Sequence, residues 1–266
     1  MHNENLETAL AQRPLGLAFD FDGTLSPIAS TPEEAQLYPG VADLLEQASA
    51  FARVAILTGR EIEDGARKIN LDGLTYIGTH GLEWSDGLPW LHEVHIDPDA
   101  LAYVRAGTYL LDLVDERLAD LPGVIVQRKR VGGSIHYRLA PDQEQTRQKL
   151  LEMLTAPARR VNMQLSEGKQ IVEIRPPLAI DKGTAVRQFA QRHALRGLVF
   201  AGDDRTDLDA IMEMTELRQR GLTTLAIVAR HPDTLPALLQ HADTVVDRVP
   251  GMVALLRDML QILVCS

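Results

Sequence analysis

Short apolar runs that end in polar turns alternate along this chain with stretches of helical period. Residues 15–19 (Leu-Gly-Leu-Ala-Phe), 53–57 (Arg-Val-Ala-Ile-Leu) and 197–201 (Gly-Leu-Val-Phe-Ala) have the length and near-continuous apolarity of buried parallel strands. They lead into Asp20-Phe21-Asp22-Gly23-Thr24, Thr58-Gly59-Arg60 and Gly202-Asp203-Asp204-Arg205-Thr206-Asp207. Asp181-Lys182-Gly183 opens an amphipathic helix over 184–193, and a further helix starts at Leu208. The pattern predicts an α/β parallel-sheet core, and open α/β sheets place their ligands beyond the carboxyl ends of the strands.

The middle of the chain follows another pattern. Leu101, Val104, Leu111, Val114, Leu118 and Leu121 recur at helical spacing and predict one long amphipathic helix. Strands at 124–127, 134–139, 162–166 and 170–174 and a helix over 142–154 complete a small antiparallel sheet with helices on one face. Prolines in Ile96-Asp97-Pro98 and Arg175-Pro176-Pro177 mark hinges. Two polar loops precede residue 61 and two follow residue 180, so residues 97–177 read as an α+β insert between the halves 1–96 and 178–266 of one core. The open face of the insert is expected over the site as a cap. Trp84 to Trp90, with Asp86-Gly87 between, reads as a β-hairpin whose aromatics pack. Residues 252–264 read as an amphipathic terminal helix, interrupted by Arg257 and Asp258 and too short to span a bilayer.

Composition narrows the partners. The 27 basic and 37 acidic residues of this 266-residue chain give a net charge of −10, which argues against nucleic acid or an anionic membrane. An anionic substrate would have to be attracted locally. The single cysteine, Cys265, excludes an internal disulfide and suits a reducing cytoplasm. No signal peptide is expected in residues 1–13, which lack an apolar core, and a monomer is the default because no long apolar seam is evident.

Taken singly, each polar loop has an ordinary reading. Asp20 and Asp22 suit a cap and a turn, Thr58 a turn, Lys182 a solvated charge, and Asp203 or Asp204 a helix N-cap. Together they supply what phosphoryl transfer needs: a carboxylate nucleophile (Asp20), an acid/base partner (Asp22), and donors for the phosphoryl oxygens (Lys182 and Thr58). Mg²⁺ suits such a set, because it takes one or two carboxylates plus phosphate oxygens. Asp20 and Asp203 are the first candidate ligands, with Asp207 or Asp204 as a direct or water-mediated third.

These four loops resemble the four motifs of the haloacid dehalogenase (HAD) superfamily of phosphohydrolases. Further segments narrow the resemblance to the trehalose-6-phosphate phosphatase family: Gly78-Thr-His80-Gly81-Leu-Glu83, Lys129 with His136-Tyr137-Arg138, Glu167-Gly168-Lys169 followed by Glu173-Ile174-Arg175-Pro176, and Gly202-Asp203-Asp204 with Thr206-Asp207. Order and spacing agree from about Leu15 to Asp207. The resemblance implies a HAD-like Rossmannoid core with an inserted cap, and Mg²⁺-dependent hydrolysis of trehalose 6-phosphate through an aspartyl-phosphate. It carries the nucleophile, the acid/base residue and the metal ligands to Asp20, Asp22 and Asp203, with the main-chain carbonyl of Asp22 as its metal contact. Lys169 and Glu173 match positions that bind sugar hydroxyls, and Gly59, Arg60, His80, Lys129, Arg138 and Glu167 are further substrate-binding candidates. Read without the resemblance, Lys169 and Glu173 are a solvated ion pair on one strand face, and His80 suits a core position as well as a ligand. Two departures stand out: Thr58-Gly59-Arg60 replaces the usual Ser-Gly-Arg, and Leu208 replaces the usual Glu after the Thr-Asp pair. Other readings are a different HAD sugar phosphatase, a phosphomannomutase-like phosphotransferase, and a phosphosugar-binding regulator without turnover.

Overall fold

The structure, a computed structural model, describes residues 2–265. The chain forms two compact units, one of residues 1–95 with 180–266 and one of residues 96–179.

The first half of the larger unit runs α1 (His2–Leu10), β1 (Leu15–Phe19), α2 (Val41–Ser49), β2 (Arg53–Leu57), α3 (Ile62–Ile69), β3 (Thr75–Gly78), β4 (Glu83–Asp86) and β5 (His95–Ile96). In the smaller unit follow α4 (Pro98–Leu101), α5 (Val104–Asp115), β6 (Ile125–Arg128), β7 (Gly133–His136), α6 (Gln143–Arg160), β8 (Gln164–Gly168) and β9 (Ile171–Arg175). The chain then returns to the larger unit as α7 (Lys182–Arg192), β10 (Gly197–Gly202), α8 (Asp207–Gln219), β11 (Thr223–Arg230), α9 (Pro236–His241), β12 (Thr244–Asp247) and α10 (Arg248–Cys265).

The large sheet has the order β12-β11-β10-β1-β2-β3-β4-β5, parallel from β12 to β3. Apolar side chains on both faces explain why the strands read as continuous hydrophobic runs. On β1, Leu15, Leu17 and Phe19 join one buried cluster with residues of α1, α2, α3 and α10, while Ala18 joins a second with residues of α7, α8 and α9. Each fully buried Leu or Phe contributes roughly 1.5–3 kcal/mol. Gly16 is needed where β1 meets α7, because a Cβ there would lie 2.3 Å from Leu195 and 2.9 Å from Phe189. From β1 the chain advances to β2 and β3 on one side, and from β10 to β11 and β12 on the other. The order therefore reverses between β1 and β10, the crevice where doubly wound sheets bind ligands.

The smaller unit is a four-stranded antiparallel sheet of order β6-β7-β9-β8. Ile135, Val172 and Ile174 pack with Leu110, Leu111 and Val114 of α5 and Leu150 and Leu154 of α6.

Several expected elements differ. The single helix over 101–121 is broken into α4, α5 and a 3-10 turn at Leu118–Asp120. Asp97 caps α4 by accepting from the Asp99 N–H at 2.9 Å, and Leu101 is half exposed, so its apolar stripe does not continue into Leu110 and Leu111. Gly107 instead draws α5 close to the sheet, where a Cβ would stand 2.5 Å from Gly132 N. The tight hairpin across Asp86-Gly87 is absent: β4 pairs with β3 on one side and, after residues 87–94, with β5 on the other, and Asp86 accepts from Thr75 Oγ1 at 3.2 Å and Trp84 Nε1 at 3.1 Å. Trp84 is buried against Phe189, but Trp90 is exposed and is no packing residue. Helix α6 runs to Arg160 through Pro157, six residues beyond the expected end at 154, and residues 2–10 form a helix that the hydrophobic pattern did not announce. No helix among the described residues is long and apolar enough to cross a membrane.

Candidate active site

The loops after β1, β2 and β10 and the start of α7 meet at the switch point, each held by its own backbone. Asp20, the first residue past β1, donates its N–H to Ala201 O at 2.9 Å, so the acidic side chain is carried by the strand pair itself. Lys182 is the first residue of α7, where the helix dipole disfavours a cation. Two things outweigh that. Asp181 caps the helix by accepting from Thr184 N at 2.8 Å, and the buried Lys182 ammonium lies 2.7 Å from Asp20 Oδ1 and 2.7 Å from Asp207 Oδ1.

Asp207 organises this cluster. Its second oxygen, Oδ2, accepts from the backbone N–H groups of Asp203 (2.9 Å) and Asp204 (3.0 Å). One carboxylate thus fixes both the cation and the loop that carries Asp203. Gly202 lets Asp207 fold back, since a Cβ there would lie 2.3 Å from the Asp207 carboxyl carbon. Asp204 is engaged within its own loop, accepting from Thr206 N at 2.8 Å and Thr206 Oγ1 at 2.7 Å, while its charge is felt by Asp20, Lys182, Asp203 and Asp207. Leu208 packs partly buried against the second apolar cluster, so the position that departs from the family pattern is a packing position here.

Asp20, Asp203 and Asp207 each offer a carboxylate oxygen within 4.8 Å of the others. Three carboxylates against one ammonium leave two negative charges in a buried site. Burial, opposed by Lys182 and reinforced by Asp207, holds the Asp20 carboxyl well above the usual range. Burial and the charge of Asp20 do the same to Asp203. Burial pulls Lys182 down, but Asp20 and Asp207 outweigh it and hold the ammonium firmly charged. An all-oxygen donor set with two uncompensated negative charges fits a hard divalent cation. Asp207 is already committed to Lys182 and two N–H groups, which leaves Asp20 and Asp203 as the side chains best placed to hold it.

Asp22 lies in the loop beyond Asp20, half exposed, and Arg60 grips both its oxygens, Nε to Oδ2 at 2.7 Å and Nη2 to Oδ1 at 2.8 Å. Arg60 also reaches Asp64 Oδ2 at 2.6 Å and Pro32 O at 3.0 Å. It therefore fixes the carboxylate two residues beyond Asp20. Thr58 is buried at the end of β2, and the turn after it is clamped from β3: His80 N donates to Thr58 O at 3.0 Å and Thr79 N to Arg60 O at 2.7 Å. Thr79 (φ 47) and His80 (φ 58) both adopt left-handed backbone, a strain that persists only where surroundings over-determine it. Glu83 supplies part of that, accepting from Ile62 N at 2.9 Å and Thr79 Oγ1 at 3.0 Å. Gly59 makes room for the His80 ring, whose Cε1 would lie 2.6 Å from a Cβ at that position.

In the smaller unit, Glu173 pairs in register with Ser134 on β7 and Ser166 on β8, on the sheet face opposite Val172 and Ile174. Its Oε1 accepts from Lys129 Nζ at 3.0 Å and Ser134 Oγ at 3.1 Å, and the Lys129 side chain is buried. Glu167 is not brought to this group. It pairs in register with Val172, on the helix side of the sheet, and its carboxylate is taken by Arg147 of α6. Lys169 sits in the turn before β9, so the expected placement of Lys169 and Glu173 on one strand face does not hold. Arg138 lies just beyond β7, partly buried.

Two residues escaped the sequence reading. Thr24 Oγ1 donates to Asp203 Oδ1 at 3.1 Å, and His231 Nε2 lies 2.8 Å from Gly23 O. His231 directly follows β11, so the strand-end rule that picks out Asp20, Thr58 and Asp203 could have found it.

Residues 18–233 match the family model described as Trehalose-phosphatase. A trehalose-phosphate phosphatase of Mycobacterium marinum is 32% identical over 246 residues, covering 86% of this chain and 60% of that protein. The chain thus spans about 60% of the length of that curated relative. Among solved structures, the C-terminal domain of the Candida albicans trehalose-6-phosphate phosphatase superposes with a TM-score of 0.82 at 19% identity, covering 98% of this chain and 96% of that one. A trehalose-6-phosphate phosphatase related protein gives 0.77 at 24% identity, covering 92% and 97%. At these identities the structures attest the fold.

Proposed function

Because the chain belongs to the trehalose-phosphatase family, we propose that it hydrolyses trehalose 6-phosphate to trehalose and inorganic phosphate. The observation that carries this reading is the buried junction of Asp20 with Lys182, Asp207 and Asp203 at the sheet's switch point. A carboxylate nucleophile meets a phosphate monoester only where the anionic charge of both is balanced.

Mg²⁺ is the cation we assign, held by Asp20, Asp203 and the main-chain carbonyl of Asp22. Bound there, it would neutralise charge on the transferring phosphoryl group. Asp20 attacks phosphorus through one oxygen, and the bond from phosphorus to the sugar 6-oxygen breaks. Asp22 gives that oxygen its proton, then takes a proton from the water that displaces Asp20 from phosphorus. Lys182 and Thr58 steady the phosphoryl oxygens. With both Asp22 oxygens accepting from Arg60, proton transfer at this carboxyl requires Asp22 to leave at least one arm.

Sugar recognition is assigned to the smaller unit, through Glu173 with Lys129, and Lys169 in the adjoining turn. A partly buried carboxylate and a buried ammonium can accept from and donate to hydroxyls, and a site built that way rejects analogues that lack them. We assign the chain to the cytoplasm as a monomer acting on a small phosphosugar, a setting that suits its net charge of −10 and one cysteine.

Phosphate release from trehalose, sucrose and mannose 6-phosphates at equal concentration, with Mg²⁺ and with chelator, tests the reading. We expect trehalose 6-phosphate to be preferred by at least about tenfold in kcat/KM, which is about 1.4 kcal/mol, and turnover to vanish with chelator. Preference for another sugar phosphate would overturn the substrate and leave the chemistry standing.

A further inference from the structure

His231 stands just beyond β11, one strand farther from β1 than Asp203. Its backbone is fixed by a small turn, with His231 N donating to Thr234 Oγ1 at 2.7 Å and Thr234 N donating to His231 O at 3.2 Å. From there the ring reaches across to the loop after β1. Nε2 lies 2.8 Å from Gly23 O and 3.8 Å from Asp203 Oδ2, with the side chain largely buried. A carbonyl can only accept, so the contact requires the tautomer that carries hydrogen on Nε2.

Gly23 is where such a pin matters. It adopts φ +89, and a Cβ would stand 2.1 Å from Asp203 Oδ2, so only glycine fits. Glycine is also the residue that least restrains its neighbouring peptide planes. Two hydrogen bonds do so instead: Gly23 N donates to Ser26 O at 2.7 Å on one side, and Gly23 O accepts from His231 on the other. The first peptide carries the Asp22 carbonyl. The second leads into Thr24, whose hydroxyl holds Asp203 Oδ1 at 3.1 Å.

We propose that His231 is a positioning residue of the phosphoryl-transfer site. By holding the Gly23 carbonyl, it fixes the Gly23–Thr24 peptide and with it the Thr24 hydroxyl on Asp203, and so, with Ser26 holding the preceding peptide, the spacing between the Asp20 loop and Asp203 that a divalent cation requires. This rests on the assignment of Asp20 and Asp203 as metal ligands. His231 touches neither the nucleophile nor the leaving group, so its loss should be felt in metal affinity and kcat while KM for the sugar phosphate stays nearly constant.

The test uses the full chain with Mn²⁺ as the probe, its binding followed by electron paramagnetic resonance without substrate, beside steady-state kinetics. His231→Ala is expected to weaken Mn²⁺ binding by about tenfold to a hundredfold, the range typical of groups that orient metal ligands. It should lower kcat at fixed Mg²⁺ and change KM by less than about twofold. His231→Gln, whose amide can donate from nearly the same reach, is expected to recover most of the affinity. It also keeps the test open should the alanine variant fold poorly. Unchanged Mn²⁺ affinity in a folded His231→Ala protein refutes the role of His231 alone. Equal losses in the Ala and Gln variants refute it too, because the hydrogen bond is then not what matters. A wild-type protein that binds no Mn²⁺ refutes the metal assignment, and this proposal with it.

Discussion

Withdrawing Mg²⁺ should destabilise this protein more as pH rises, and the sign follows from the buried cluster. Burial, only partly offset by Lys182, pushes the Asp207 carboxyl up from about 3.8 to about 6, and Asp20 and Asp203 also lie well above the ordinary range. A carboxyl that holds its proton more tightly folded than unfolded contributes stability that is complete below about pH 4. That contribution is lost as pH rises through the folded value. For Asp207 the loss is about 3 kcal/mol by neutral pH, with further loss from Asp20 and Asp203. A divalent cation replaces the missing protons. At a hundredfold excess over its dissociation constant it returns about 2.7 kcal/mol, or about 5–10 °C in melting temperature for a chain of this size. Scanning calorimetry at about pH 5 and about pH 7.5, with one Mg²⁺ concentration or with chelator, reads the two effects together. The Mg²⁺ shift should be about twice as large or more at the higher pH, where protons no longer compete, and Asp203→Asn should reduce it sharply at both. A Mg²⁺ shift equal at the two pH values, or absent at both, would refute the charge argument.

Three further outcomes test the chemistry. Asp20→Asn should lower phosphate release by about 10⁴-fold or more, as loss of a covalent nucleophile does, while circular dichroism shows an intact fold; release at the wild-type rate would remove Asp20 from that role. Asp22→Asn should slow turnover of the sugar phosphate by about 10²–10⁴-fold but spare the first burst of phenol from an aryl phosphate, whose leaving group needs no proton. A burst slowed as much as the sugar reaction would count against acid catalysis. Glu173→Ala should cost about tenfold to a hundredfold in kcat/KM for trehalose 6-phosphate, the loss of one or two charged hydrogen bonds, and little for the aryl phosphate; equal losses on both would mean that Glu173 does not read the sugar.

What the sequence made legible here was strand ends. A five-residue apolar run bounded by a turn announces both a parallel strand and the place where its next polar residue stands, which is how Asp20, Thr58 and Asp203 stand out. Period and propensity carry no such information about direction. Leu101 and Leu118 keep the helical spacing of a core stripe, yet Leu101 faces solvent because it ends α4, a short helix capped by Asp97 and separate from α5. Glu167 and Glu173 lie on opposite sheet faces because the turn at Lys169 and Gln170 sets a register that pairs Glu167 with Val172 and Ser166 with Glu173; a register set by one turn, with Gln170 at φ 55, is invisible to spacing.

The role of Asp207 was equally hidden, for a reason that bears on the mechanism. As a type and position it looks like a third metal ligand, and only the direction of its two oxygens shows that one holds Lys182 and the other holds the Asp203 loop. The same carboxylate that keeps an ammonium at the unfavourable end of α7 therefore fixes the distance from that ammonium to Asp203. Lys182, its contact with Asp20, and the Asp203 loop are thus set by one residue that need not touch the substrate. Such a residue should resist conservative exchange: Asn in its place must turn its NH₂ group toward either Lys182 or the two backbone N–H groups, so one set of donors faces another donor in a dry site. The geometry thus requires a carboxylate at 207 on structural grounds, whether or not one of its oxygens also meets the metal.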